Sequence, residues 1–141
     1  KDVAALMETE WQKEGIRFAF QWDPTLPLIA ADEELLRQAF LNILLNACQA
    51  MPTGGLVRIS TAMERWDSVR VSIADTGVGI PPDDLGKIYQ LYYTTKPHGS
   101  GIGLSLVYRV VQMHNGFIDA SSELGRGTTM VVRLPVSQSP S

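Results

Sequence analysis

A chain of 141 residues with 12 Lys and Arg against 15 Asp and Glu carries a formal net charge of −3, without the basic excess that binding a nucleic-acid backbone normally requires. A single cysteine excludes a disulfide framework and any Cys/His metal spacing, and the length suffices for one domain with its own core. No apolar run reaches the roughly 18 residues of a membrane span and no leader-like stretch opens the chain, so a soluble domain in a reducing, intracellular setting is expected. The start at Lys1 without Met reads as an excised piece, a domain over 1–135 with a disordered tail over 136–141.

Residues 3–14 have helical spacing, and Ile16, Phe18 and Phe20 alternate as a half-buried strand does before Pro24 and Pro27 close the segment. Asp32 stands where an N-cap belongs, with Glu33 and Glu34 in the first turn. That predicts a helix to about Met51, stopped by Pro-Thr-Gly-Gly over 52–55. Residues 56–62 and 68–74 alternate around a polar link and predict an antiparallel hairpin that delivers Asp75. From 76 to 100 the pattern is irregular, with one short helix around 83–91; a loop region that long is functional or disordered. Helical spacing resumes at Gly101 through Leu106, Val110 and Met113 and stops at Asn115 and Gly116. Residues 117–121 and 128–134 then predict a second hairpin across Gly125 and Gly127. Strands arriving in pairs favour an α+β sandwich, a mixed and largely antiparallel sheet with helices on one face, over a doubly wound sheet.

Projected as a helix, residues 35–51 place Gln38, Asn42, Asn46 and Gln49 in one narrow stripe beside a broad apolar arc, with Leu41, Leu45 and Cys48 extending the apolar surface around the other side. An exposed stripe normally carries Lys and Glu. Uncharged amides flanked by apolar residues suggest a partly buried face in need of a partner, either a ligand or neighbouring loops. Two glycine-rich stretches follow, one over 75–81 with Gly77 and Gly79, the other over 99–104 with Gly99, Gly101 and Gly103. Glycines spaced this tightly let backbone N–H groups turn toward phosphate oxygens. There is no G-x-x-x-x-G-K-[ST] and no G-x-G-x-x-G rhythm, so neither a P-loop nor a dinucleotide turn is present.

Asn42 and Asn46, Asp75 with Gly77 and Gly79, Gly99 with Gly101 and Gly103, and Gly125, Gly127 and Thr128, in that order, resemble the ATP-binding domain of sensor histidine kinases. These kinases share a Bergerat-type fold, with a flexible ATP lid, with DNA gyrase, the MutL repair proteins and a heat-shock chaperone. The resemblance covers about residues 3–135. Thr94, Thr95 and Lys96, just before the second glycine box, look most like the nitrogen-regulation type.

The resemblance implies that Asn46 ligates a Mg²⁺ bridging the phosphates of ATP, a hard-oxygen role that suits an amide, and that Asn42 faces the same phosphates. The gyrase branch places a glutamate at the position of Asn42 to activate water. An amide cannot act as a base, so Asn42 argues for transfer over hydrolysis. Asp75 is implied to accept from the adenine amine, which favours ATP over GTP, and Thr128 to close the adenine end. Gly77, Gly79 and Ile80 are implied to pass close to the base. Gly99, Ser100, Gly101, Gly103 and Leu104 are implied to wrap the phosphates at a helix N-terminus, and Lys96 to be the lid cation that reaches the terminal phosphate. Gln49 departs from the pattern, standing where many such kinases carry lysine, and so do Tyr92 and Tyr93, where the lid usually shows phenylalanine.

Neither His98 nor His114 has the context of a phosphoacceptor, so the acceptor histidine is expected upstream of Lys1, on a dimerisation domain of the same parent protein. The implied function is transfer of the γ-phosphate of Mg-ATP to that histidine and then to a response regulator. The domain alone would be a monomer, its parent a cytoplasmic homodimer either free or anchored to the inner membrane. The rival readings are a gyrase-like ATP hydrolase, an anti-sigma-type protein serine kinase and a nucleotide-sensing module without chemistry.

Overall fold

The computed structural model describes residues 15–21, 33–64, 68–80, 85 and 103–135. The expected helix over 3–14, the N-cap at Asp32, the helix over 83–91 apart from Leu85, and the tail over 136–141 lie outside the described residues.

The strands are β1 (Ile16–Gln21), β2 (Gly55–Glu64), β3 (Ser68–Asp75), β4 (Phe117–Glu123) and β5 (Gly127–Pro135); the helices are α1 (Glu33–Gln49) and α2 (Gly103–Met113). Both expected hairpins form. β2 and β3 pair antiparallel with Ile59 opposite Ile73, and β4 and β5 pair antiparallel with Ala120 opposite Met130. The five strands run in the order β1-β2-β3-β5-β4, so β5 sits inside the sheet beside β3. β1 is the parallel member: Ile16 aligns with Gly55, and the chain between β1 and β2 returns through α1. A parallel pair needs such a crossover because both strands must start from the same end.

The period of two decides which face is covered. Thr128, Met130, Val132 and Leu134 on β5 are buried, as are Val57, Ile59, Val69 and Ile73, all on one face of the sheet. Arg58 and Arg70, and the Asp119–Arg133 ion pair at 2.9 Å, lie on the other face. The helices pack on each other over the apolar face, α1 through Ala39, Ile43, Leu44 and Ala47, α2 through Val107, Val110 and Val111. Burying a side chain of this kind contributes about 1.5–3 kcal/mol. The three valines of α2 therefore fix that helix more firmly than its end, where a cap contributes about 0.5–2 kcal/mol. That end is well formed all the same. Asn115 takes a left-handed φ of 57°, and the Gly116 and Asn115 N–H groups donate to the Val111 and Gln112 carbonyls at 2.9 and 3.0 Å. Among the described residues no helix is long and apolar enough to cross a membrane.

Cys48 is the core residue its position predicts, 1% exposed. Burial pushes its thiol up from 9.0 to about 12, and the Asp75 carboxylate adds to the shift. The native state thus keeps a proton that the unfolded chain sheds above its ordinary value. Stability should fall as pH rises from about 9 toward 12, by up to about 1.4 kcal/mol per pH unit. The excess stability of the wild type over Cys48→Ala, measured by urea unfolding, is expected to shrink across that window. A pH-independent excess would refute the shift.

Candidate functional site

α1 carries Asn42 and Asn46 one turn apart on a half-buried side, between the fully buried Ile43 and Ala47. Among the described residues the side chain of Asn42 makes no hydrogen bond. A half-buried amide in that state is suited to a bound group. Gln38 and Gln49, expected in the same partly buried stripe, are instead exposed. Ala39 and Cys48 beside them are buried, so the helix is covered at both positions and the two glutamines lie on its open side.

The end of α1 meets the first glycine box. The Val78 N–H donates to the Ala50 carbonyl at 3.0 Å, and the Gly125 N–H donates to the Val78 carbonyl at 2.9 Å. The box is thereby held between the helix end and the β4–β5 turn. Its glycines are small for that reason: a Cβ on Gly77 would lie 2.5 Å from the Ala50 carbonyl oxygen, and one on Gly79, where φ is +80°, would strike the Glu123 carbonyl. Each of these glycines closely approaches the chain itself, whatever else the backbone over 77–80 passes.

Asp75 ends β3. Its Oδ1 accepts from the Gly77 N–H at 2.8 Å and from the Thr128 N–H at 3.3 Å, a residue 53 positions away, and its charge is felt at Cys48 in α1. Thr128 is the buried polar residue of β5. Its hydroxyl meets Ser122 Oγ at 2.9 Å, and Ser122 Oγ also accepts from the Ile80 N–H at 2.7 Å and lies 2.9 Å from the Gly127 carbonyl. Asp75, Gly77, Ile80, Ser122 and Thr128 are therefore joined into one hydrogen-bonded corner at the end of α1. Ser122 escapes a motif search, although the tight turn over 124–126 leaves it directly opposite Thr128.

α2 is described from Gly103, the expected start at Gly101 lying outside the described residues, and no acidic side chain stands in its first described turn to offset the positive end of its dipole. Leu104, expected among the phosphate-wrapping residues, is half-buried against the hydrophobic core. His114 Nδ1 bonds the Val110 carbonyl at 2.8 Å, so that nitrogen carries the hydrogen and closes the helix end. Lys96, Gly99, Ser100, Gly101, Tyr92, Tyr93 and His98 lie outside the described residues, and with them the expected lid. Among the described residues no three His, Cys, Asp or Glu side chains are grouped to hold a metal ion.

Known proteins extend this geometry. The chain is 39% identical over 132 residues to the sensor histidine kinase ZraS of Escherichia coli (strain K12), a stretch that is 94% of this chain and 28% of that protein. Its structure matches full-length ShkA, crystallised in complex with AMPPNP, with a TM-score of 0.87 and 33% identity over 99% of this chain and 30% of ShkA. It matches the catalytic domain of the histidine kinase ThkA with a TM-score of 0.84 and 29% identity, over 96% of this chain and 89% of that one. The chain thus spans less than a third of ZraS or of ShkA. Residues 31–138, which contain both asparagines, both glycine boxes and Thr128, match the histidine kinase-, DNA gyrase B- and HSP90-like ATPases, and the chain belongs to that family.

Proposed function

We propose that this chain is the catalytic, ATP-binding domain of a two-component sensor histidine kinase, similar at Thr94, Thr95 and Lys96 to the nitrogen-regulation type. The observation that carries the reading is the corner in which Asp75 and Thr128 meet at the end of the helix bearing Asn42 and Asn46. Asp75 is the acceptor for the adenine amine, and Thr128 closes that end of the site. Asn42 turns its amide toward the phosphates. The N-terminus of α2, with Gly99, Ser100, Gly101, Gly103 and the backbone of Leu104, receives their charge. Lys96 supplies a cation at the terminal phosphate.

A single amide oxygen suits Mg²⁺, which takes few protein ligands and shares the phosphate oxygens of its nucleotide, so Asn46 would hold it. The metal, when bound, neutralises charge on those oxygens. The remaining work is positioning. The γ-phosphorus gains a bond to an imidazole nitrogen of the acceptor domain as its bond to the β–γ bridging oxygen breaks, and ADP leaves with the electron pair. Asn42, an amide that cannot take a proton from water, favours this transfer over hydrolysis. The acceptor domain belongs to the same, homodimeric parent protein, and a response regulator takes the phosphoryl group onward; the parent is cytoplasmic or anchored to the inner membrane.

The test is incubation of the chain, extended upstream through its acceptor domain, with γ-labelled ATP and Mg²⁺. Protein-bound label lost in acid and kept in alkali is the expected result. Acid-stable label would indicate a serine kinase, free labelled phosphate a hydrolase, and intact ATP a binding module.

A further inference from the structure

Thr128 is 7% exposed, and among the described residues its hydroxyl has Ser122 as its hydrogen-bond partner. The contacts of Ser122 Oγ settle who donates. A hydroxyl has one hydrogen and two lone pairs. The Ile80 N–H at 2.7 Å can only donate, and the Gly127 carbonyl at 2.9 Å can only accept. Ser122 therefore accepts from Ile80 and gives its own hydrogen to Gly127. One lone pair is left for Thr128, whose hydrogen must point to it across 2.9 Å. Thr128 Oγ1 is left with lone pairs alone to offer.

We infer that Ser122 is a positioning residue that holds the Thr128 hydroxyl as a hydrogen-bond acceptor, and so makes the base end of the site selective for a purine with an amino group over one with a carbonyl at the same atom. The inference rests on the nucleotide reading above and deepens it. Asp75, beside Thr128, is also an acceptor, its Oδ1 anchored by two backbone N–H groups. Two acceptors in one corner favour a donor. The exocyclic amine of adenine supplies N–H groups, whereas the carbonyl at that atom of hypoxanthine supplies none, and a site built to accept rejects a second acceptor. A threonine hydroxyl left to rotate could serve either base. Ser122 removes that freedom.

Binding of ATP and of inosine triphosphate, each with Mg²⁺, is to be measured by calorimetry on the wild type, Ser122→Ala, Thr128→Val and the double variant. Ser122→Ala is expected to reduce the preference for ATP about five- to tenfold, the scale of one neutral hydrogen bond. In the Thr128→Val background it should change nothing further. Ser122→Thr keeps the hydroxyl and should keep the wild-type preference. Ser122→Cys, a weak donor and acceptor, should lose it, which preserves the test if Ser122→Ala does not fold. Equal loss of both nucleotides in Ser122→Ala, or the same drop in preference without the Thr128 hydroxyl, would overturn the inference and leave Ser122 a turn-packing residue. A wild type that binds neither nucleotide would overturn the nucleotide reading itself, a distinct result.

Discussion

Asp75→Asn is expected to weaken ATP binding roughly 30- to 150-fold in a protein that still folds, a loss of about 2–3 kcal/mol. The fold survives because Asp75 Oδ1 accepts two backbone N–H groups, from Gly77 and Thr128, and an asparagine carbonyl oxygen can take both. Those donors also dictate the orientation of the new amide, since the reverse would set N–H against N–H. What changes is the charge, together with one acceptor oxygen that becomes an NH₂ donor. A carboxylate that accepts from an adenine amine is thus replaced by a neutral group that opposes it. Asp75→Ala would be a poorer probe. It would leave the Gly77 and Thr128 N–H groups without their partner, and each such buried donor costs about 1–3 kcal/mol of stability. Calorimetric titration with ATP and GTP checks the expectation. The preference for ATP should narrow as its affinity falls, because an amide NH₂ can donate to a guanine carbonyl. Unchanged ATP affinity in folded Asp75→Asn would remove Asp75 from the base site.

Asn46→Ala is expected to abolish the Mg²⁺-dependent part of nucleotide binding. Asn46 is half-buried in the last turn of α1, one turn from Asn42 and flanked by the buried Ala47. Removing its amide gives up at most a hydrogen bond, about 0.5–1.5 kcal/mol. Alanine recovers about 0.5 kcal/mol or more of helix propensity. The two effects nearly offset each other, so the melting temperature should stay near that of the wild type and a binding defect can be read directly. ATP affinity measured with Mg²⁺ and again with EDTA should differ in the wild type and coincide in Asn46→Ala. A variant that keeps the Mg²⁺ increment would sink the proposed metal role. Asn42→Ala, by contrast, should keep a Mg²⁺ increment, because its amide is assigned to the phosphates and not to the ion.

These two residues show how unevenly the site could be read beforehand. Asn46 lies on a helix whose direction follows from local spacing, so its neighbours along α1 were foreseeable from position alone. Asp75 could be placed at the end of a strand for the same reason. Its partner Thr128, 53 residues on, could not. The helical projection also overreached: Gln38 and Gln49 share the direction of the asparagines yet are exposed beside the buried Ala39 and Cys48, because a projection gives an angle and not what covers it.

Local order was written in the sequence alone: α1 and α2 in the apolar spacing, the two hairpins in alternation and turn residues, the end of α2 in Asn115 and Gly116. Each depends on residues a few positions apart. The tertiary structure decided what depends on distant burial. It set β1 parallel to β2 and slid β5 between β3 and β4, through backbone hydrogen bonds that carry no residue identity. That insertion brings Thr128 to Asp75 and Ser122 to Ile80. It also gives Gly77 and Gly79 their reason to be small, since a glycine in a sequence reports the room its backbone needs and only the fold reports what fills it.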